Sequence, residues 1–277
     1  MIRTTAALAL AASPALADCA GEAGACETAS GRYHVVLPEG VEGPVPALVF
    51  LHGWGSSGEG TLRMRIDETA TARGWAVVAP DGVPRGGGRD GLSWSFHPER
   101  REGRRDEAAF LSEVLADAAD RHGIDPDRAV LAGFSIGGSM ASYVACEAPG
   151  AFAAYAPVGG SFWQPHPAAC EGPVRLLHTH GWRDRTVPLE GREVGSGFVQ
   201  GDVFDAMRIW RETNGCDGLR ADRFSDADGF LRRAWDACDE GTALELALFD
   251  GGHSVPEGWT GMALDWFEGL ADAPPEG

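Results

Sequence analysis

The sequence predicts an α/β fold, with a mostly parallel central sheet flanked by helices on both faces. Three observations carry that expectation. Apolar runs of strand length alternate with longer segments of helical periodicity, the order that repeated strand–helix–strand units produce. The short runs are almost continuously apolar, as parallel strands covered on both faces must be. Gly, Pro or Asp bounds them, and these residues end regular structure.

In chain order, strands are expected at Tyr33–Leu37, Ala47–Leu51, Trp75–Ala79, Ala129–Ala132, Ala153–Val158, Arg175–Thr179 and Ala243–Phe249. Helices are expected at Gly60–Arg73, Asp106–Arg121, Ile136–Glu147, Val203–Thr213 and Trp259–Leu270. In the second helix Phe110, Val114 and Ala118 form one stripe, with Leu111 and Leu115 beside it. Asp106 and Glu107 stand at its start, where the helix dipole favours anions. The Gly- and Arg-rich stretch from 82 to 105 reads as a long solvated surface loop carrying Arg85, Arg89, Arg100, Arg101, Arg104 and Arg105.

Met1–Ala17 reads as a signal peptide: Arg3, an Ala/Leu-rich core, then the small-x-small pattern Ala15-Leu16-Ala17. Cleavage near Ala17 would deliver the chain to the periplasm or the extracellular medium. Residues 18–277 carry no internal repeat, long linker or composition shift, so a single catalytic domain is expected there. No later apolar run is long enough to span a bilayer, so no membrane insertion is expected. Six cysteines remain: Cys19, Cys26, Cys146, Cys170, Cys216 and Cys238. An even count in an exported chain suggests disulfides, and sequential pairing is the most economical arrangement.

The net charge of −18 argues against nucleic acid as a partner, because phosphate binding needs a basic footprint. All 23 basic residues are Arg. Without Lys, Schiff-base chemistry, Ser–Lys dyads and the phosphate-loop lysine are excluded. The oligomeric state is not encoded in any pattern found.

The strongest local signal is Gly133-Phe134-Ser135-Ile136-Gly137-Gly138, which follows the apolar run Ala129–Ala132 and precedes a helical pattern. A strand-to-helix turn of this kind is a nucleophile elbow: the glycines allow close approach and the serine hydroxyl projects above the sheet. Serine needs a base, and the base needs an orienting group. On the α/β-hydrolase fold these follow in the order Ser, acid, His, each in a loop after a strand. Asp184 follows the strand ending near His180, and His253 follows the strand ending at Phe249. Both positions lie at carboxyl ends of strands, where open α/β sheets place their sites. Ser135, Asp184 and His253 are therefore the candidate triad. The amide of Ile136 is one expected oxyanion donor; Gly53 or Trp54, in Leu51-His52-Gly53-Trp54-Gly55, supplies the other. His52 is expected to fix its loop.

Several further motifs accompany the elbow: LHGWGSS, DPDRAVLAGFSIGGSMASYVACEAPGAFAAYAPVGG, HGWRDRTVP, WRETNGC and GGHSVP. Together, from about Arg32 to Trp266, they resemble the secreted esterases related to polyhydroxybutyrate depolymerases and to bacterial feruloyl and acetylxylan esterases. Ile136 is a departure, at a position where such relatives often have a small or polar residue. The resemblance implies pairing of Cys146 with Cys170 and of Cys216 with Cys238. The candidate triad implies ester hydrolysis through an acyl-enzyme, with no cofactor or metal required. Expected substrates are soluble small-molecule or oligomeric esters: hydroxyalkanoate oligomers, feruloyl or acetyl esters, or short acyl esters. Trp54, Trp94 and Trp182 are the candidate substrate-binding rings. Two other readings compete. A zinc hydrolase could use His178, His180 and Asp184, since His178 and His180 alternate onto one side of a strand. A non-catalytic binding protein could share the fold.

Overall fold

The computed structural model describes residue 19 and residues 24–85, 90–195 and 197–271. The expected signal peptide, Met1–Ala17, lies outside them.

In chain order the elements are β1 (Cys26–Glu27), β2 (Arg32–Val36), β3 (Val45–Leu51), α1 (Gly58–Leu62), α2 (Ile66–Ala72), β4 (Ala76–Pro80), β5 (Val83–Pro84), β6 (Leu92–Ser93), α3 (Glu107–His122), β7 (Ile124–Phe134), α4 (Ile136–Glu147), β8 (Ala154–Val158), β9 (Arg175–Gly181), β10 (Arg192–Gly195), β11 (Phe198–Gln200), α5 (Val203–Thr213), β12 (Arg223–Ala227), β13 (Phe230–Trp235), β14 (Ala243–Phe249) and α6 (Trp259–Ala271). Ten strands form one sheet in the order β1-β2-β4-β3-β7-β8-β9-β14-β13-β12. The six central strands, β4 to β14, run parallel. Two antiparallel strands close each edge.

Alternation along each central strand sends side chains to two separate cores. Val49, Leu51, Leu131, Tyr155 and Leu246 face α3, α4 and α5 through Phe110, Met140, Val144 and Trp210. Leu48, Phe50, Val130, Ala156 and Ala247 face α2 and α6 through Ile66, Trp259 and Leu264. This is the α/β-hydrolase arrangement. Helix α3 begins as its composition requires, with the Asp106 side chain accepting from the Ala109 amide, and ends on Gly123 in the left-handed conformation.

Three expectations need correction. The helix expected at Gly60–Arg73 is two helices, α1 and α2. Arg65 between them has φ of 60°, which interrupts the hydrogen-bond ladder, and its guanidinium bonds Glu68. The stretch from 82 to 105 is not solvated throughout: Ser93, Trp94, Ser95, Phe96 and His97 are all buried, while residues 86–89, Arg89 among them, lie outside the described residues. It contains the small pair β5–β6, and buried Glu107 fixes it by accepting from the Ser95 amide at 2.9 Å. The hairpin β12–β13 was not anticipated, because β12 is exposed along its whole length and carries no apolar pattern. Its turn, Asp228-Gly229 with φ of 54° and 82°, is nonetheless a recognisable hairpin signal.

The six cysteines form three disulfides, Cys19–Cys26, Cys146–Cys170 and Cys216–Cys238, which is the sequential pairing.

Candidate active site

Strand β7 ends at Phe134 and α4 starts at Ile136, so a single residue makes the turn. Ser135 accomplishes this with φ of 60° and ψ of −120°, a conformation that side chains rarely adopt. Its amide donates to the Val158 carbonyl at 2.9 Å, and its carbonyl accepts from Ser139 at 2.9 Å. No side chain fits beside so tight a turn: a Cβ on Gly137 would lie 2.3 Å from the Leu51 oxygen, and one on Gly160 would lie 1.9 Å from the Ser135 oxygen. The hydroxyl thus stands at the N-terminus of α4, where developing negative charge is favoured.

Two further loops reach this hydroxyl. One leaves β9, where Asp184 closes a turn by donating its amide to the Gly181 carbonyl at 3.1 Å. The other leaves β14 and carries His253. They are laced together by the Trp182 amide on Phe249 and the Arg183 amide on Gly251. His253 Nε2 lies 2.8 Å from Ser135 Oγ, and His253 Nδ1 lies 2.6 Å from Asp184 Oδ2. Asp184 Oδ1 accepts from the amides of Thr186 and Val187, each at 2.8 Å. Burial acts to raise the pKa of Asp184. The hydrogen bonds from His253 and from the Val187 and Thr186 amides outweigh it and hold the carboxyl below its ordinary range. The Phe134 ring packs against the imidazole at 4.6 Å.

Above Ser135 opens a cleft of about 720 Å³. Its walls come from outside the main sheet. The β5–β6 side supplies Val83, Arg85, Trp94 and Phe96; the β10–β11 side supplies Arg192, Val194, Phe198 and Gln200. Trp163 bridges the two, its ring packing on Phe96 at 5.2 Å and on Phe198 at 5.6 Å.

The family model described as "Putative esterase" matches residues 30–187. The chain belongs to this esterase family. It is 35% identical over 244 residues to "Putative esterase NocK" of Nocardia uniformis subsp. tsuyamanensis, covering 80% of this chain and 67% of that one. It is 26% identical over 246 residues to feruloyl esterase B of Piromyces equi, covering 82% of this chain but only 43% of that protein. Among solved structures, the acetyl xylan esterase from Aspergillus awamori superposes with a TM-score of 0.61 at 16% identity, over 86% of this chain and 94% of that one. A carboxylesterase from Mesorhizobium loti gives 0.60 at 18%, over 89% and 98%. These last two bear on the fold alone. Carboxylic ester hydrolase is the class to which the enzyme belongs.

In this esterase the expected residues fall into two groups. Ser135, Asp184 and His253 meet within hydrogen-bonding distance. Ile136 and Trp54 join Ser135 in the cleft lining, and a Cβ on Gly53 would lie 3.6 Å from Ser135 Cβ. His52 ties its loop down: its Nε2 accepts from the Gly82 amide at 3.0 Å, so Nδ1 carries the proton and donates to the Gly53 carbonyl at 2.8 Å. Of the three candidate tryptophans, Trp54 is 56% exposed at the rim, while Trp94 is buried with its indole N–H on the His52 carbonyl at 2.9 Å. Trp182 is a correction. Its amide extends the β9–β14 pairing, and the residue, 61% exposed, is not part of the cleft lining. Trp163, another loop tryptophan at the sheet's carboxyl edge, does line the cleft. Ser95, His97 and Gln200 are the lining residues that the sequence reading missed. Each has a buried polar atom facing no partner among the described residues: Oγ, Nδ1 and Oε1 respectively. Only the alternation of Ser95 and His97 with Trp94 and Phe96 left a mark in the sequence; Gln200 left none.

The zinc arrangement is not built. His180 Nε2 donates to the Val187 carbonyl at 2.7 Å, so its Nδ1 accepts from His178 Nε2 at 3.1 Å. Those nitrogens are occupied by one another and by backbone, and Asp184 is turned to His253. Among the described residues the one cluster with converging ligand atoms is Cys19, Cys26 and His122. Its two sulfurs are joined as a disulfide and offer no thiolate.

Proposed function

We propose that the protein is an exported serine esterase acting on soluble esters, with Ser135 as nucleophile, His253 as general base and Asp184 as the acid that orients the imidazole. The observation that carries this reading is the unbroken relay from Asp184 Oδ2 through His253 to Ser135 Oγ, with links of 2.6 and 2.8 Å. Ser135 attacks the ester carbonyl while His253 Nε2 takes its proton. Asp184, held ionised, stabilises the imidazolium, which then protonates the departing alcohol. Water activated by His253 releases the acyl group. The Ile136 amide and that of Gly53 or Trp54 stabilise the oxyanion, each contributing on the order of 3 kcal/mol. No metal or cofactor enters these steps.

Export to the periplasm or medium is supported by the three disulfides and by the signal-peptide pattern. The cleft's volume and its Trp54, Trp94 and Trp163 suit short acyl esters, hydroxyalkanoate oligomers, or feruloyl and acetyl esters on polysaccharide fragments. The Ser135→Ala variant tests the mechanism: ester hydrolysis falls by about 10⁴-fold or more, with circular dichroism unchanged. Turnover near that of wild type in a folded variant would remove Ser135 from the reaction. A panel of p-nitrophenyl acyl esters, methyl ferulate, acetylated xylan and 3-hydroxybutyrate oligomers tests the substrate class. Rates that climb toward long acyl chains with interfacial activation would instead indicate a lipase.

A further inference from the structure

The charge of the cleft is opposite to that of the molecule. The chain carries 41 acidic residues against 23 basic ones. Among the described residues the cleft lining nevertheless contains Arg85, Arg104 and Arg192 and no Asp or Glu. Nearby arginines behave differently: Arg101 is paired with Glu147, and Arg105 with Glu107. Among the described residues Arg85, Arg104 and Arg192 have no carboxylate partner. Glu193 alternates away from the lining while its neighbours Arg192 and Val194 face it.

Arg85 is the most constrained of the three. Its guanidinium lies over the Trp54 ring at 4.6 Å, and its Nε is buried with no acceptor among the described residues. A stacked guanidinium keeps its planar fork of donors oriented, the geometry that matches a carboxylate. Elsewhere in the same lining the buried hydroxyl of Ser95 also lacks a partner among the described residues. A low-dielectric cleft lined with one sign of charge concentrates ions of the other sign, here inside a molecule whose outer surface repels them.

We propose that the cleft selects esters bearing a second acid group, ionised at neutral pH and remote from the scissile bond, with Arg85 as its principal counter-ion. This rests on Ser135 being the nucleophile. The group's chemistry is that of a carboxylate, carried on either the acyl or the alcohol side.

Two matched pairs distinguish the sides: monoethyl adipate against diethyl adipate, and 4-acetoxybenzoate against 4-acetoxybenzamide. The reading is the ratio of kcat/KM, ionised over neutral, within each form of the enzyme. In at least one pair the wild type favours the ionised member by about tenfold or more at low salt, as a charge-assisted contact predicts. Salt at about 0.5 M shrinks that ratio severalfold by screening, and Arg85→Gln brings it close to one. Neutral-ester turnover that depends on Ser135, with ratios near one in both pairs, overturns the inference and leaves the esterase mechanism standing. A ratio insensitive to salt, or unchanged in Arg85→Gln, overturns it too. Loss of the mechanism itself has a different signature, namely neutral-ester hydrolysis that survives Ser135→Ala.

Discussion

Ser135 stands where a side chain is least comfortable. Its φ of 60° and ψ of −120° place it outside the regions open to most residues, a conformation that costs on the order of 1–3 kcal/mol. Glycine adopts it freely but loses more freedom on folding. Ser135→Gly is therefore expected to raise stability by about 1 kcal/mol in urea titrations while abolishing ester hydrolysis. An unchanged or lowered midpoint would mean that the hydroxyl's bond to His253 matters more than the strain. That Ser135, Asp184 and His253 would be brought together was legible in the sequence, because each follows a clear strand and the order of residue types is restrictive. The tryptophans were harder to place. A ring in a loop can point to solvent or to the cleft, and only the continuation of β9 into Trp182 decides which. Side-chain direction in loops is set by contacts distant in sequence, such as the Trp94 indole on His52.

At the scale of elements, the strands that the sequence revealed are those covered on both faces. Strands β3, β7, β8, β9 and β14 each contain a short, largely apolar run, broken in β9 by His178 and His180 and in β14 by Glu245, and the structure has them all. Those it concealed are the outer hairpin β12–β13, whose edge strand β12 is wholly exposed, the two-residue edge strand β1, and the short pairs β5–β6 and β10–β11 outside the sheet. Two- to four-residue strands bury too little to leave a period. The Cys146–Cys170 bridge ties the last turn of α4 to the segment before β9, across a separation of 24 residues. Replacing both cysteines by Ala is expected to cost about 2–3 kcal/mol, chiefly by freeing the unfolded chain. That lowers the melting temperature by roughly 5–10 °C. Because the bridge lies away from Ser135, kcat at 25 °C should change less than about twofold. Differential scanning calorimetry and an ester assay on the same sample check both statements.

For the molecule as a whole, acid stability turns on imidazoles held neutral inside it. Burial lowers the pKa of His52, His178 and His180 below the ordinary 6.5. In the unfolded chain each takes up a proton near 6.5; in the folded state each resists. Stability is thus complete above about pH 6.5 and declines as the pH falls below it, by up to about 1.4 kcal/mol per pH unit for each such histidine. Urea unfolding at pH 7.5, 6.5 and 5.5 measures this, and a midpoint constant down to pH 5.5 would contradict it. The walls of the cleft point elsewhere. The relay of Ser135, His253 and Asp184 is anchored to β7, β9 and β14, deep in the parallel sheet, whereas the β5–β6 and β10–β11 pairs that shape the cleft lie outside it. The two parts are therefore separable in engineering. Exchanging the segments around 82–97 and 191–200 for those of another esterase should transplant substrate preference while the reactive turn and its sheet remain as they are.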